Sequence, residues 1–198
     1  MRSPSTIVLQ FIKKQKFSLF LLVFLFGFVP SYAQLQEPDL TGKAYDEKLT
    51  IWLDYCKKAV RVAAEGKPNF TRLMFIDVAK KGISLSKQDD LKNIAQFQYI
   101  VGRSFQEIKK LDSAIFYLEA AFEKYKRIKM HKEEIAAMQF LNYAYYQTGK
   151  FTKRDQIINQ LKAKLNQPVD LRTKSVMTSI LGEYSFNNDA FEAAIKYK

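Results

Sequence analysis

Apolar and polar positions alternate with a helical period from residue 45 almost to the end of the chain. In "VGRSFQEIKKLDSAIFYLEAAF", residues 101–122, apolar side chains recur at three- and four-residue spacing, pause at the polar "KKLD", and resume. Such spacing lines one face of an α-helix. The same reading predicts helices over 45–65 and 70–85 around the turn "GKPNF", and a further helix start at Asp89 and Asp90, where acids complement the helix dipole. Residues 34–44, "QLQEPDLTGKA", lack periodicity and read as a linker. Seven Gly and five Pro in 198 residues suit long helices better than a turn-rich sheet.

The pattern recurs at a step of forty residues. Val101-Gly102 is followed by Leu141-Asn142 and Leu181-Gly182, and Phe105 by Tyr145 and Ser185. Leu111, Phe151 and Phe191 align, as do Ala114, Arg154 and Ala194, and Leu118, Ile158 and Lys198. The breaks "KKLD", "TGKF" and "NNDAF" fall in register. A glycine midway along a helix costs about 1 kcal/mol relative to alanine. Close approach of a second helix offsets that cost, so Gly102, Ala114 and Ala121 are expected to be contact points between backbones. An aromatic or leucine at the turn, Leu111 or Phe151, is expected to plug the open end of each pair. Units of this kind bury their remaining apolar faces against neighbours.

These residues resemble the tetratricopeptide repeat, strongly over 95–122 and 175–198 and less well over 135–161. The resemblance implies an all-α fold, a right-handed α-solenoid of stacked antiparallel helix pairs. It would occupy 45–198 as about four units, the first degenerate and the last incomplete. Three features depart from the family pattern. The period is forty residues instead of about 34, so the extra residues, such as "KMHKEE" (129–134), are expected to lengthen the second helix or its exit loop. Asn142 and Arg154 replace small residues, and the proline usual near the end of the second helix is missing. HEAT repeats have a period near forty and stay open as the alternative label.

In tetratricopeptide arrays the first helix of each pair lines a concave groove that holds a protein or peptide segment. By the resemblance, the groove residues are Gln96, Tyr99, Arg103 and Gln106, then Ala136, Gln139, Tyr143 and Tyr146, then Val176, Ser179, Glu183 and Phe186. Tyr and Arg are enriched at binding hot spots. The same aromatics would equally complete the packing between neighbouring units.

The first 33 residues change the picture. A basic start is followed by "FSLFLLVFLFGFV", thirteen uncharged residues, and then by "PSYAQ" with small residues at Ser31 and Ala33. This is the pattern of a secretory signal peptide cleaved after Ala33, and it is short for a permanent span. It places the mature chain outside the cytoplasm, in the periplasm of a Gram-negative bacterium, and confines membrane contact to an uncleaved leader or a segment downstream. The chain stops at Lys198 inside a predicted second helix. The exported tetratricopeptide pattern also resembles the periplasmic sensor region of membrane-bound histidine kinases or regulators, whose output domains would follow. That reading is the alternative to a stand-alone binding module.

Little of the sequence suggests catalysis. Net charge is +12, or +8 without the four bases of the leader, with both signs mixed along the chain. The basic runs "KYKRIKMHK" (124–132) and "KFTKR" (150–154) sit among acids and read as solvated faces, so nucleic acid is not an expected partner. His131 is the only histidine and Cys56 the only cysteine, which is too few for a usual zinc site and leaves no internal disulfide. Apolar neighbours at helical spacing mark Cys56 as a buried, inert thiol. No glycine-rich phosphate loop occurs. Paired acids at Asp89-Asp90 and Glu133-Glu134 are explained by helix starts. The expectation is a non-enzymatic module with no cofactor and no metal.

Overall fold

A computed structural model describes residues 36–64 and 72–187. The leader and its cleavage point, the "GKPNF" turn and the matches at Phe191 and Ala194 lie outside these residues. Among the described residues the structure is all-helical, with seven helices and no strand: α1 (Tyr45–Ala64), α2 (Arg72–Leu85), α3 (Leu91–Glu107), α4 (Leu111–Arg127), α5 (His131–Gln147), α6 (Phe151–Leu165) and α7 (Leu171–Asn187). None of them is long and apolar enough to cross a membrane.

The period has a simple origin. Helices α3, α4 and α5 each have 17 residues and are followed by three-residue turns, so starts fall at Leu91, Leu111, His131 and Phe151; α6 is shorter, at 15 residues, but a five-residue connection restores the step and α7 starts at Leu171. Each of the three turns is closed the same way. The N–H groups of Lys110, Met130 and Lys150 donate to the carbonyls of Phe105, Tyr125 and Tyr145, each at 2.9 Å. Those of Lys109, Lys129 and Gly149 donate to Gln106, Lys126 and Tyr146 at 3.0 to 3.2 Å. This is the Schellman pattern, and it requires a left-handed residue just past the helix. Lys109 (φ 61°), Lys129 (φ 57°) and Gly149 (φ 68°) occupy that place.

The extra residues of "KMHKEE" therefore do not form a longer exit loop. Lys129 and Met130 complete the standard turn, and His131 to Glu134 form the first turn of α5. The additional length is absorbed by the helices. A finer repeat than forty follows, because each helix and the connection after it add up to twenty residues from α3 to α6. Val101, Ala121, Leu141, Leu161 and Leu181, at twenty-residue steps, are all buried.

Successive helices pack together from α1 to α7, and first helices of successive pairs also touch, α3 with α5 and α5 with α7. Asp90 sets the start of α3: its carboxylate accepts from the Asn93 N–H at 3.1 Å and from the Tyr45 hydroxyl at 2.9 Å. Trp52 is fully buried and donates to the Val78 carbonyl at 2.9 Å, tying α1 to α2. Cys56 is buried, and desolvation pushes its thiol up to about 12, which keeps it protonated and unreactive at neutral pH.

Gly102 meets the expectation of close approach. A β-carbon there would lie 2.6 Å from Leu118 Cγ and 3.1 Å from the Leu118 backbone nitrogen. Ala114 and Ala121 are fully buried. Gly82, not singled out in the sequence, does the same for α2, since a β-carbon would meet the Phe97 ring at 2.4 Å. The expected plug is weaker in the second pair: Leu111 is half-buried, but Phe151 is 55% exposed and packs edge-on to Tyr146. Gly102→Ala should lower stability by about 1–3 kcal/mol despite the gain of about 1 kcal/mol in helix propensity. A thermal or urea melt checks it, and a neutral result would contradict the contact with α4.

Candidate functional site

The sequence-expected groove residues fall on α3, α5 and α7, and the structure distributes them among three environments. On α3, Gln96, Tyr99, Arg103 and Gln106 form one half-buried stripe. Tyr99 packs edge-on against Tyr125 (6.4 Å) and against Phe140 of α5 (5.7 Å), and its burial raises the pKa of its phenol. The Arg103 guanidinium lies 4.7 Å over the Phe140 ring and 5.8 Å from that of Tyr99. Its Nε and the Oε1 of Gln106 are buried without hydrogen-bond partners among the described residues. Phe140 thus joins α3 to α5 at the centre of the surface. It sits one residue past the expected Gln139, which is exposed.

Tyr143 and Tyr146 are both half-buried but divide between different neighbours. The Tyr143 hydroxyl accepts from Lys109 Nζ at 3.2 Å, on the turn between α3 and α4. Tyr146 faces α6, with the Phe151 ring at 6.4 Å and the Arg154 guanidinium at 4.6 Å. On α7, Glu183 and Phe186 are exposed, and Glu183 acts on Arg154 through its charge.

Arg154 and Asn142 both break the repeat in the sequence. The structure shows them to be one feature. Arg154 is 1% exposed and Asn142 0%. Arg154 Nε donates to Asn142 Oδ1 at 2.9 Å, and the guanidinium is held between Tyr146 of α5 and Tyr184 of α7, the latter at 4.8 Å. Arg154 Nη2 and Asn142 Nδ2 have no hydrogen-bond partner among the described residues. Burial lowers the guanidinium's pKa, while Glu183 works against this. Here a polar pair fills the space that Gly102 and Ala114 leave small in the preceding unit.

Two further polar clusters that bridge helices, one buried and one half-exposed, escape the sequence. Glu134 reads there as helix-start electrostatics, yet it is 1% exposed and takes Lys164 of α6 at 3.0 Å, with His131 Nδ1 at 3.5 Å. His131 itself is exposed, at the first position of α5. Glu119 of α4 accepts from Lys153 and from the Tyr145 hydroxyl, both at 2.6 Å. Burial works to raise the Glu119 carboxyl, but these two hydrogen bonds outweigh it and hold the group below its ordinary 4.5. Only spacing to another helix would have revealed either cluster, and neither has a local signature.

Among the described residues no group of His, Cys, Asp and Glu is placed to hold a metal. Comparison of the chain with protein-family models, with curated proteins and with solved structures gives no match.

Two measurements test these clusters. Asn142→Gly and Arg154→Ala should each destabilise the protein, and the double variant should cost less than their sum by about 1–2 kcal/mol. Additivity in denaturant melts would contradict the pairing. For Glu119, a depressed carboxyl contributes stability that is present above its unfolded pKa and lost as pH falls through the folded one. The melting-temperature gap between wild type and Glu119→Gln should be constant above about pH 5 and close as pH falls below about 4.5. A gap independent of pH would contradict it.

Proposed function

We propose that this chain is an exported, non-enzymatic helical-repeat module, a tetratricopeptide-like α-solenoid whose first helices line a groove for an extended protein or peptide segment. The observation that carries the reading is the surface shared by α3 and α5. There Tyr99, Arg103 and Phe140 form a half-buried aromatic–cation cluster, and Tyr143 lies on the same helix as Phe140. Such a surface offers stacking area and hydrogen-bond donors that are already ordered, so a partner would lose little freedom in meeting them. The contacts of α3 with α5 and of α5 with α7 support a continuous layer of first helices. The thirteen-residue apolar stretch and "PSYAQ" support export, and the forty-residue step with small residues at helix crossings supports the tetratricopeptide-like assignment.

Tyr143 and Arg103 are the residues to change, because Tyr146 also packs against Arg154 and its loss would be felt in stability. Peptides selected by display on the full chain should bind Arg103→Ala and Tyr143→Ala at least about tenfold more weakly. Helical circular dichroism should stay close to wild type for both, and Tyr143→Ala should melt close to wild type, whereas Arg103→Ala, which also loses its packing on Phe140 and Tyr99, should melt somewhat lower. Selection of peptides whose binding ignores both changes would contradict the groove.

A further inference from the structure

Helix starts of α3, α5 and α7 lie at one end of the helix layer, together with the turns that enter them. The Tyr45 hydroxyl bonds Asp90 there, a cleft joins Asp89 to Lys92 with Ile128 and Met130, and the charge of Lys132 acts on Asp170. The second residue of each of these three first helices is basic: Lys92, Lys132 and Arg172, forty residues apart. All three are exposed. This is the place in a helix where a cation is disfavoured, because the first turn carries the positive end of the dipole. Lys92 and Lys132 act favourably on the nearby carboxylates of Asp90 and Asp170, which offsets part of that cost, and the row of three side chains remains turned to solvent.

Neighbouring charges reinforce it. Lys129 is exposed and stands in the left-handed position that Gly149 fills in the next turn. Arg127 and Lys174 are exposed as well. Three of the acids at this end are engaged within the fold, while Asp89 is exposed and Glu133 half-buried near the basic residues. Asp90 caps α3, Asp170 accepts from the Thr173 N–H at 3.0 Å, and Glu134 is buried against Lys164. At the opposite end the cations have partners instead: Lys150 with Asp112 at 2.7 Å, Lys153 with Glu119 at 2.6 Å, and Lys109 with Tyr143. The basic end also carries an apolar side chain in the open. Leu171 is 84% exposed next to Arg172.

We infer that this end of the helix layer docks on an anionic bilayer surface, with Lys92, Lys132, Arg172 and Lys129 facing acidic headgroups and Leu171 entering the boundary between headgroups and acyl chains. First helices pack about 8–10 Å apart, so the row presents its cations at a spacing comparable to adjacent headgroups, and it does so along a line and not in a pocket. Basic side chains with an exposed leucine among them suit an interface that is both charged and partly apolar. A soluble polyanion would gain nothing from Leu171. The contact belongs to the folded helices and is separate from the peptide groove.

The test is co-sedimentation of the chain from Gln34 onward, without the basic, apolar leader, with vesicles of phosphatidylcholine alone or mixed with phosphatidylglycerol. Wild type should partition more strongly to the anionic vesicles, and added salt should weaken that preference. Lys92→Gln, Lys132→Gln and Arg172→Gln together should lower partitioning to anionic vesicles by about a hundredfold, at about fivefold per cation. The triple variant should melt close to wild type, since it removes cations that the helix dipole disfavours but that also attract Asp90 and Asp170 across exposed, screened distances. Lys129→Gly should melt higher and still bind the anionic vesicles less, which separates folding from binding. Leu171→Ser should weaken vesicle binding and leave binding to polyphosphate unchanged. Equal partitioning to neutral and anionic vesicles, full binding by the triple variant, or polyphosphate binding tighter than vesicle binding would each overturn the proposal.

Discussion

Close approach of antiparallel helices is the constraint on which the structure depends, and it is enforced by the turns. A three-residue connection closed by two backbone hydrogen bonds leaves no slack to separate one helix from the next. Helices so joined must find small residues where they cross. Gly102 against Leu118 and Gly82 against Phe97 are the tightest of these places. A constant twenty residues per helix and connection then brings equivalent positions to equivalent depths, which is why the buried series from Val101 to Leu181 keeps a twenty-residue step. Lysine at two of the three left-handed positions shows how strongly the turn is held, since a side chain there is strained and glycine is not.

Where the small residue is absent, the same crossing is solved with polar atoms. Asn142 and Arg154 stand where the first clear unit has Gly102 and Ala114, and the guanidinium is stacked between tyrosines of two successive first helices. Burying a charge without a carboxylate in contact is costly. The stacking on Tyr146 and Tyr184, the bond to Asn142 and the nearby Glu183 offset part of that cost. Glu134 with Lys164 and Glu119 with Lys153 and Tyr145 tie α5 to α6 and α4 to both. The second pair is accordingly held by more specific, directional contacts than the first. Those contacts fix which helix faces which.

Local features were the legible ones. Helix periodicity, the Asp90 start, the Gly102 crossing and the burial of Cys56 all follow from residues close in sequence, and the structure agrees with each. The turn at 128–130 is hard to read because lysine at the left-handed position hides a signal that glycine at 149 makes plain. Partnerships across helices were not legible. Glu134 looks like any acid at a helix start until Lys164 is placed opposite it, and Arg154 looks like a defect until Asn142 is placed beside it. In the candidate groove, the α3 stripe is legible but Phe140, which joins it to α5, is not, because the neighbouring Gln139 carries the expected register. Likewise the basic residues at 92, 132 and 172 are dispersed in the sequence and meet only when the helices are laid side by side.

Both the proposed groove and the proposed basic end require that first helices lie adjacent and in register. Spin labels at positions 92 and 172, replacing Lys92 and Arg172 in a chain whose Cys56 is changed to alanine, measure it directly by electron–electron distance. Two steps of adjacent helices put the backbone positions about 20 Å apart, and the account requires a single narrow distribution near that value once label length is included. A broad distribution, or a separation near twice that distance, would mean that the first helices do not form one layer and would contradict it.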